Sequence, residues 1–453
     1  VGLVFRLHPV YAVSCAYHLL NRSQFLECVV STAARGEFVL PTGQVSVNSV
    51  LGGLEAGLAG NKSIADLCII GDGARALAVS NLVSSQKILI YSDSLVSQYP
   101  SLDKLQVREY EVRERGAGVG TARGAMRGDL RNSDRVDEIR KVDGIFIATD
   151  TTKYGAIIDN LASGFNDGQT VCLVDAPLGA ALEFKHLLKT RRCNTQLNII
   201  ETGKIFDSAK VESNVLLISG LRNRISVCGL ERNETRRGLA VAQALKGRLI
   251  PCSNVIERGL MDVERMIRPA ILLPALLGLK KDAILEPADL ITPGSIKMLA
   301  SVEAEVQQLA KAFQCVVPSF AKSLQDLAVP SGKQSTGNPY VASMKALFNS
   351  ATGGGGRQVS LEDSLGALGS GLMGYCNGST ACFQDILIQD VLEVLTLLVD
   401  LGQLSRSPVG VINSIVEMSS VLVGENLDKH GRKAESLGLV GFDPTEIVDF
   451  VNH

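Results

Sequence analysis

Tryptophan is absent, and histidine is limited to His8, His18, His186, His430 and His453. The second shortage has more consequence. Histidine is the side chain whose ordinary pKa lies nearest neutrality, so chemistry that moves a proton at pH 7 has few carriers here. No two of the ten cysteines are spaced CxxC, and most sit in apolar runs. That argues against a zinc knuckle or disulfide framework and for buried thiols in a reducing, intracellular compartment. No apolar run reaches the roughly 18 residues of a transmembrane helix. The formal net charge of −2 provides no field for nucleic acid or for an anionic membrane.

What is present is a 453-residue chain with 46% hydrophobic and 20% charged residues. This is a globular balance with room for two or three domains. The first residue is Val1, which we read as a processed or incomplete start. Residues 1–63 carry a helical apolar pattern at Tyr11–Leu20 and a Gly-rich stretch at Gly52–Gly60. They are expected to be an N-terminal extension that packs on a neighbour or on the main body.

Residues 64–251 alternate apolar strands with helical patterns, which implies a mostly parallel, helix-covered sheet. The first unit, ADLCIIGDGARALAVSNLV, holds a GxGxxA variant of the dinucleotide fingerprint. In it Gly71 makes the tight turn, Gly73 lets backbone approach a pyrophosphate, and Ala76 lets the helix pack on the strand. An acid for the ribose hydroxyls belongs at the end of the next strand, KILIY. Tyr91 stands there, with Asp93 two residues on. Binding of NAD(P) is therefore expected to be weak or lost at Gly71, Gly73, Ala76 and Tyr91. An Arg-rich segment, about 113–141, reads as a solvated or partner-facing insertion, and Asn214–Ser219 with Arg224–Cys228 as a hairpin. Residues 252–453 show only helical patterns, interrupted by a Gly-rich loop at about 350–358.

The stretch that joins the two halves is Asn254–Leu277, NVIERGLMDVERMIRPAILLPALL. Its apolar residues recur at helical spacing, and Pro269 is expected to kink or restart the helix. This stretch resembles the start of the C-terminal domain of the opine (octopine and nopaline) dehydrogenases. Gly179–Phe184, Glu201-Thr202, Ile291-Thr292-Pro293, Gly337-Asn338-Pro339-Tyr340, Gln389-Asp390-Val391 and Gly431–Leu439 fit the same family in the same order. The resemblance implies an α/β fold: a Rossmann-type dinucleotide-binding domain followed by an all-helical C-terminal domain.

The resemblance also implies a chemistry. Opine dehydrogenases condense an amino acid with a 2-oxo acid and reduce the imine with NAD(P)H. The family delivers its acid/base histidine in a His-Pro pair held by an Asp. Here the pair reads Arg268-Pro269, and Asp390 falls where the orienting Asp stands. A guanidinium keeps its proton in proteins and cannot exchange it near neutral pH. Other cleft positions depart as well: Asp207, Lys210, Asp262, Glu264, Ala275 and Leu392-Glu393-Val394. The leading expectation is a catalytically degenerate member with no bound cofactor, serving as a structural or accessory subunit among other protein chains. A mitochondrial setting, such as ATP synthase or a respiratory complex, is expected. The alternative is an active NAD(P)-dependent oxidoreductase of the opine type with rearranged catalytic groups.

Overall fold

The computed structural model describes residues 66–85, 87–98, 105–111, 119–125, 128–131, 133–222, 224–245, 247–277, 290, 292–328 and 379–452. The extension 1–63 and the Gly-rich loop lie outside these residues, as does the Asn-Pro-Tyr piece at Asn338–Tyr340.

Short β-branched and aliphatic runs form the central strands, and the complete burial of Gly144–Ile147, Thr170–Leu173 and Asn198–Thr202 matches a sheet covered on both faces. β1 (Asp66–Ile70), β2 (Lys87–Tyr91), β5 (Asp129–Arg131), β6 (Gly144–Ile147), β7 (Thr170–Leu173), β8 (Asn198–Thr202), β11 (Arg224–Gly229) and β12 (Arg248–Pro251) make one eight-stranded sheet. Its order is β12-β11-β8-β7-β6-β1-β2-β5. All neighbours are parallel except β8 and β11. β1 has β2 on one side and β6 on the other, so strand order reverses there. That is where open α/β sheets take ligands, at the carboxyl ends of the strands. Helices α1 (Gly73–Leu82), α2 (Asp93–Gln98), α3 (Tyr154–Leu161), α4 (Ala180–Thr190) and α5 (Arg232–Ala242) follow strands of this sheet.

A second sheet, β4-β3-β10-β9, contains β3 (Gln106–Glu111), β4 (Val119–Ala125), β9 (Ser208–Glu212) and β10 (Val215–Ser219). The expected hairpin of β10 with β11 does not form. β10 pairs antiparallel with β9 and parallel with β3, whereas β11 belongs to the large sheet. The reason is local. Ser213 and Asn214 both take left-handed conformations, φ 47° and 61°. Two such residues in succession make the tight turn whose twist matches a two-residue hairpin, and it lies before β10 rather than after it.

Among the described residues no strand follows Pro251. The helices there are α6 (Val255–Leu260), α7 (Glu264–Leu277), α8 (Pro293–Ala312), α9 (Phe320–Ala328), α10 (Thr380–Asp390), α11 (Thr396–Ser405), α12 (Gly410–Val423), α13 (Leu427–His430) and α14 (Pro444–Asn452). Asn254 caps α6 by accepting the Glu257 amide at 2.9 Å. The helical break falls at Met261–Val263, upstream of the prolines. α7 runs through both Pro269 and Pro274. Its apolar face is almost wholly buried against α8, α10 and α12, and that packing offsets two missing backbone bonds. A π-helical turn, Val391–Leu395, joins α10 to α11 and carries Glu393. One continuous apolar core runs from the sheet into these helices. All seven described cysteines are free thiols. No described helix is long and apolar enough to cross a membrane.

Candidate functional site

The glycine turn sits at the strand reversal. A Cβ on Gly71 would come within 2.5 Å of the Ala148 carbonyl oxygen at the end of β6. Gly73 differs: its φ is +64°, and a Cβ there would meet nothing within 4 Å. Gly71 is thus glycine because two strand ends pass close together. Gly73 is glycine for its conformation, and the space before it is open. Ala76 is fully buried under the helix. The α1 N-terminus carries no side-chain cap, so its first amides remain available. Beside the turn lies a cleft of about 160 Å³, lined by Asp72, Tyr91, Ser92, Thr149, Lys153 and Asn160 among others. Open backbone, an uncapped helix start and an adjoining cleft fit a dinucleotide, with its pyrophosphate over Gly71–Ala76. Gly71→Ala should lower stability by about 1–3 kcal/mol through overpacking. Gly73→Ala should cost about 1–2 kcal/mol through backbone strain alone. Urea unfolding of both variants, with ligand titration of Gly73→Ala, checks this separation.

The second part of the site lies between the sheet and α7. Arg268 forks onto Asp390, with Nε donating to Oδ2 at 2.7 Å and Nη2 to Oδ1 at 2.5 Å. Asp390 is 1% exposed. Burial pushes its carboxyl up to about 6, against the pull of Arg268. One helical turn earlier, Arg265 bonds Glu393 and lies 3.0 Å from Asp262 and 3.4 Å from Asp175. Toward the second sheet, Lys204 donates to Glu264 at 2.6 Å, and Arg222 bridges Glu264 and Asp207. Burial alone would raise the Glu264 carboxyl, but Arg222 and Lys204 bring it down to about 2. Burial leaves Asp207 and Asp262 above their ordinary values. Arg75, in the glycine turn's helix, bonds Asp150 at 2.8 Å and reaches Asp175 at 3.9 Å. It extends the chain of charges from α1 toward α7.

No family model matches the chain. An opine dehydrogenase of Arthrobacter sp. (strain 1C) is 24% identical over 381 residues, covering 82% of this chain and 94% of that protein. An octopine dehydrogenase solved with NADH and L-arginine superposes with TM-score 0.58 at 12% identity, covering 86% of this chain and 99% of that one. A yersinopine dehydrogenase with NADP+ bound gives TM-score 0.53 at 13% identity, covering 86% and 98%. The chain is opine-dehydrogenase-like.

In this opine-dehydrogenase-like chain, the acidic departures and Arg268 meet in one group of ion pairs. Arg268 is held by Asp390. Asp262 and Glu393 both meet Arg265, and Asp207 and Glu264 share Arg222. Lys210 is outside this group and pairs with Glu212 at 2.5 Å on the second sheet. The two described histidines are also elsewhere: His186 packs against Gly438, and His430 ends the short exposed helix α13.

Tyr91 ends β2 where an acid for the ribose is expected, and its hydroxyl is bonded elsewhere. It is 3% exposed, and its hydroxyl donates to the Arg135 carbonyl at 2.6 Å. Its ring forms cleft wall, but its polar atom is committed. Successive strand residues face opposite ways, so it is Ser92 that meets the glycine turn, donating to Asp72 at 2.6 Å. Sequence reasoning missed Asp72, Ser92, Ser94 and Lys153. The available signal was the carboxylate inside the GxG itself. Arg265, Lys204 and Arg222 were also missed, because ion partners distant in sequence leave no periodic trace.

Proposed function

We propose that this opine-dehydrogenase-like chain keeps a dinucleotide site but does not catalyse opine formation, and that it serves as an accessory subunit of a larger assembly. The observation that carries this reading is the fork of Arg268 onto Asp390. NAD(P)H would supply hydride, but imine formation and reduction also need a group that exchanges a proton near neutrality. Arg268 cannot exchange one. Asp390 has a carboxyl near 6, which favours the alternative of rearranged catalysis. The guanidinium forks onto both its oxygens, however, and the carboxyl is only 1% exposed, which keeps a substrate from reaching it in this arrangement. Around the pair, carboxylates outnumber guanidinium and ammonium groups, a poor setting for two carboxylate-bearing reactants. The core and the turn persist, while the site's residues pair among themselves, as fits a fold kept for its surface.

NAD(P)H oxidation by the purified chain with pooled amino acids and 2-oxo acids tests the loss of chemistry. No turnover above the protein-free control is expected. Turnover abolished by Asp390→Ala in a still-folded protein would establish the oxidoreductase alternative instead. Native-gel migration of the chain from its source, expected in a complex far larger than its own 48.2 kDa, tests the subunit role.

A further inference from the structure

We propose that Asp72, inside the glycine turn, takes over the role of the missing strand-end acid: it receives the ribose hydroxyls of an adenine dinucleotide and excludes a 2′-phosphate. Asp72 precedes α1 with extended backbone, φ −115° and ψ 153°, and does not cap the helix. Its carboxylate turns instead toward the end of β2. Oδ1 accepts from Ser92 Oγ at 2.6 Å and from Ser94 Oγ at 2.9 Å, and Oδ2 accepts from Lys153 Nζ at 3.2 Å.

These contacts fix the carboxylate over the place where an acid from β2 would otherwise stand. The side chain is 41% exposed, and it lines the cleft with Ser92, Lys153 and Asn160. Burial would raise its pKa, but Ser92, Ser94 and Lys153 hold it below the ordinary carboxylate value, so it is charged at neutral pH. A charged acceptor there suits two hydroxyl donors. It opposes a phosphate dianion, and Lys153 is already engaged by it. The fold alone leaves this choice open, since one structural neighbour holds NADH and another NADP+.

The inference concerns binding alone and stands whether or not the chain turns over a substrate. The test is calorimetric titration of the full chain with NADH and with NADPH, in the unmodified protein and in Asp72→Asn and Tyr91→Phe. NADH should bind, and NADPH should bind at least roughly tenfold more weakly, the order of effect for a close like-charge pair near a surface. Asp72→Asn should bring the two affinities close to equal. Tyr91→Phe should leave their ratio unchanged, because its hydroxyl faces Arg135. Thermal melts verify that both variants are folded. Equal affinities in the unmodified chain, an unchanged ratio in Asp72→Asn, or no binding of either nucleotide at millimolar concentration would each overturn the assignment. A reductase assay can succeed or fail without altering these readouts.

Discussion

Arg258→Ala is expected to lose about 3–5 kcal/mol of folding stability, the usual consequence of breaking a buried ion pair from one side. Arg258 is 0% exposed and spends its guanidinium on three partners. Nε donates to Glu201 Oε1 at 2.7 Å, Nη1 to the Ala176 carbonyl at 2.7 Å and Nη2 to the Pro177 carbonyl at 2.8 Å. Glu201 is equally buried, and its other oxygen accepts the Ala181 amide at 2.7 Å. The first helix of the C-terminal half is thereby tied to the end of β8 and to the turn that opens α4. Removing the guanidinium strands a carboxylate and two carbonyls out of reach of water. Folded domains of this kind have only about 5–15 kcal/mol to lose.

Arg258→Lys should recover little, since one ammonium cannot serve three directions as a planar fork does. Burial already pushes the Glu201 carboxyl up against the pull of Arg258. Without Arg258 it should take up a proton in the folded state, so the variant should regain stability as the pH falls. Urea midpoints across acid and neutral pH measure both effects. A change within about 1 kcal/mol would mean that the pair is replaceable by water.

The fold was largely readable because its signals are local and repeated. Gly71, Gly73 and Ala76 announce a strand–turn–helix, apolar runs of four or five residues announce buried strands, and Asn254 announces a helix start. The β9–β10 hairpin was misplaced because its turn, Ser213-Asn214, lacks the glycine that usually marks left-handed pairs. The break ahead of α7 was misplaced because tertiary packing overrode the prolines. The site was readable only in its outline. The substitution of Arg268 for a proton carrier could be seen, together with a potential partner in Asp390. The remainder depends on contacts such as Arg265 with Glu393, 128 positions apart in the chain. Strand alternation should have favoured Ser92 over Tyr91 as the residue facing the turn. The meeting of Ser92 with Asp72, across 20 positions, required coordinates.

The pair at the centre of the site should respond asymmetrically to loss of each partner. Asp390→Ala leaves a guanidinium that cannot shed its charge, with a side chain 14% exposed, and should cost about 3–5 kcal/mol. Arg268→Ala leaves a carboxyl that can take up a proton, and should cost less. Replacing both, as Arg268→Met with Asp390→Leu, should return stability to near the unmodified value or above it, because the desolvation of both charges disappears together.

The pH dependence separates these cases further. The Asp390 carboxyl is raised from 3.8 to about 6, so its contribution is fully present below 3.8 and is lost as pH rises through about 6. Glu264 behaves oppositely: lowered from 4.5 to about 2, its contribution is present above 4.5 and lost as pH falls through about 2. Within the Asp390 window, from 3.8 to about 6, the double variant should show a flatter stability profile than the unmodified chain, while the Glu264-dependent loss in acid persists in both. Urea midpoints at closely spaced pH values from about 2 to 7 resolve the two terms. A double variant as unstable as Asp390→Ala would show that Arg268 and Asp390 hold the helices through geometry that apolar side chains cannot replace.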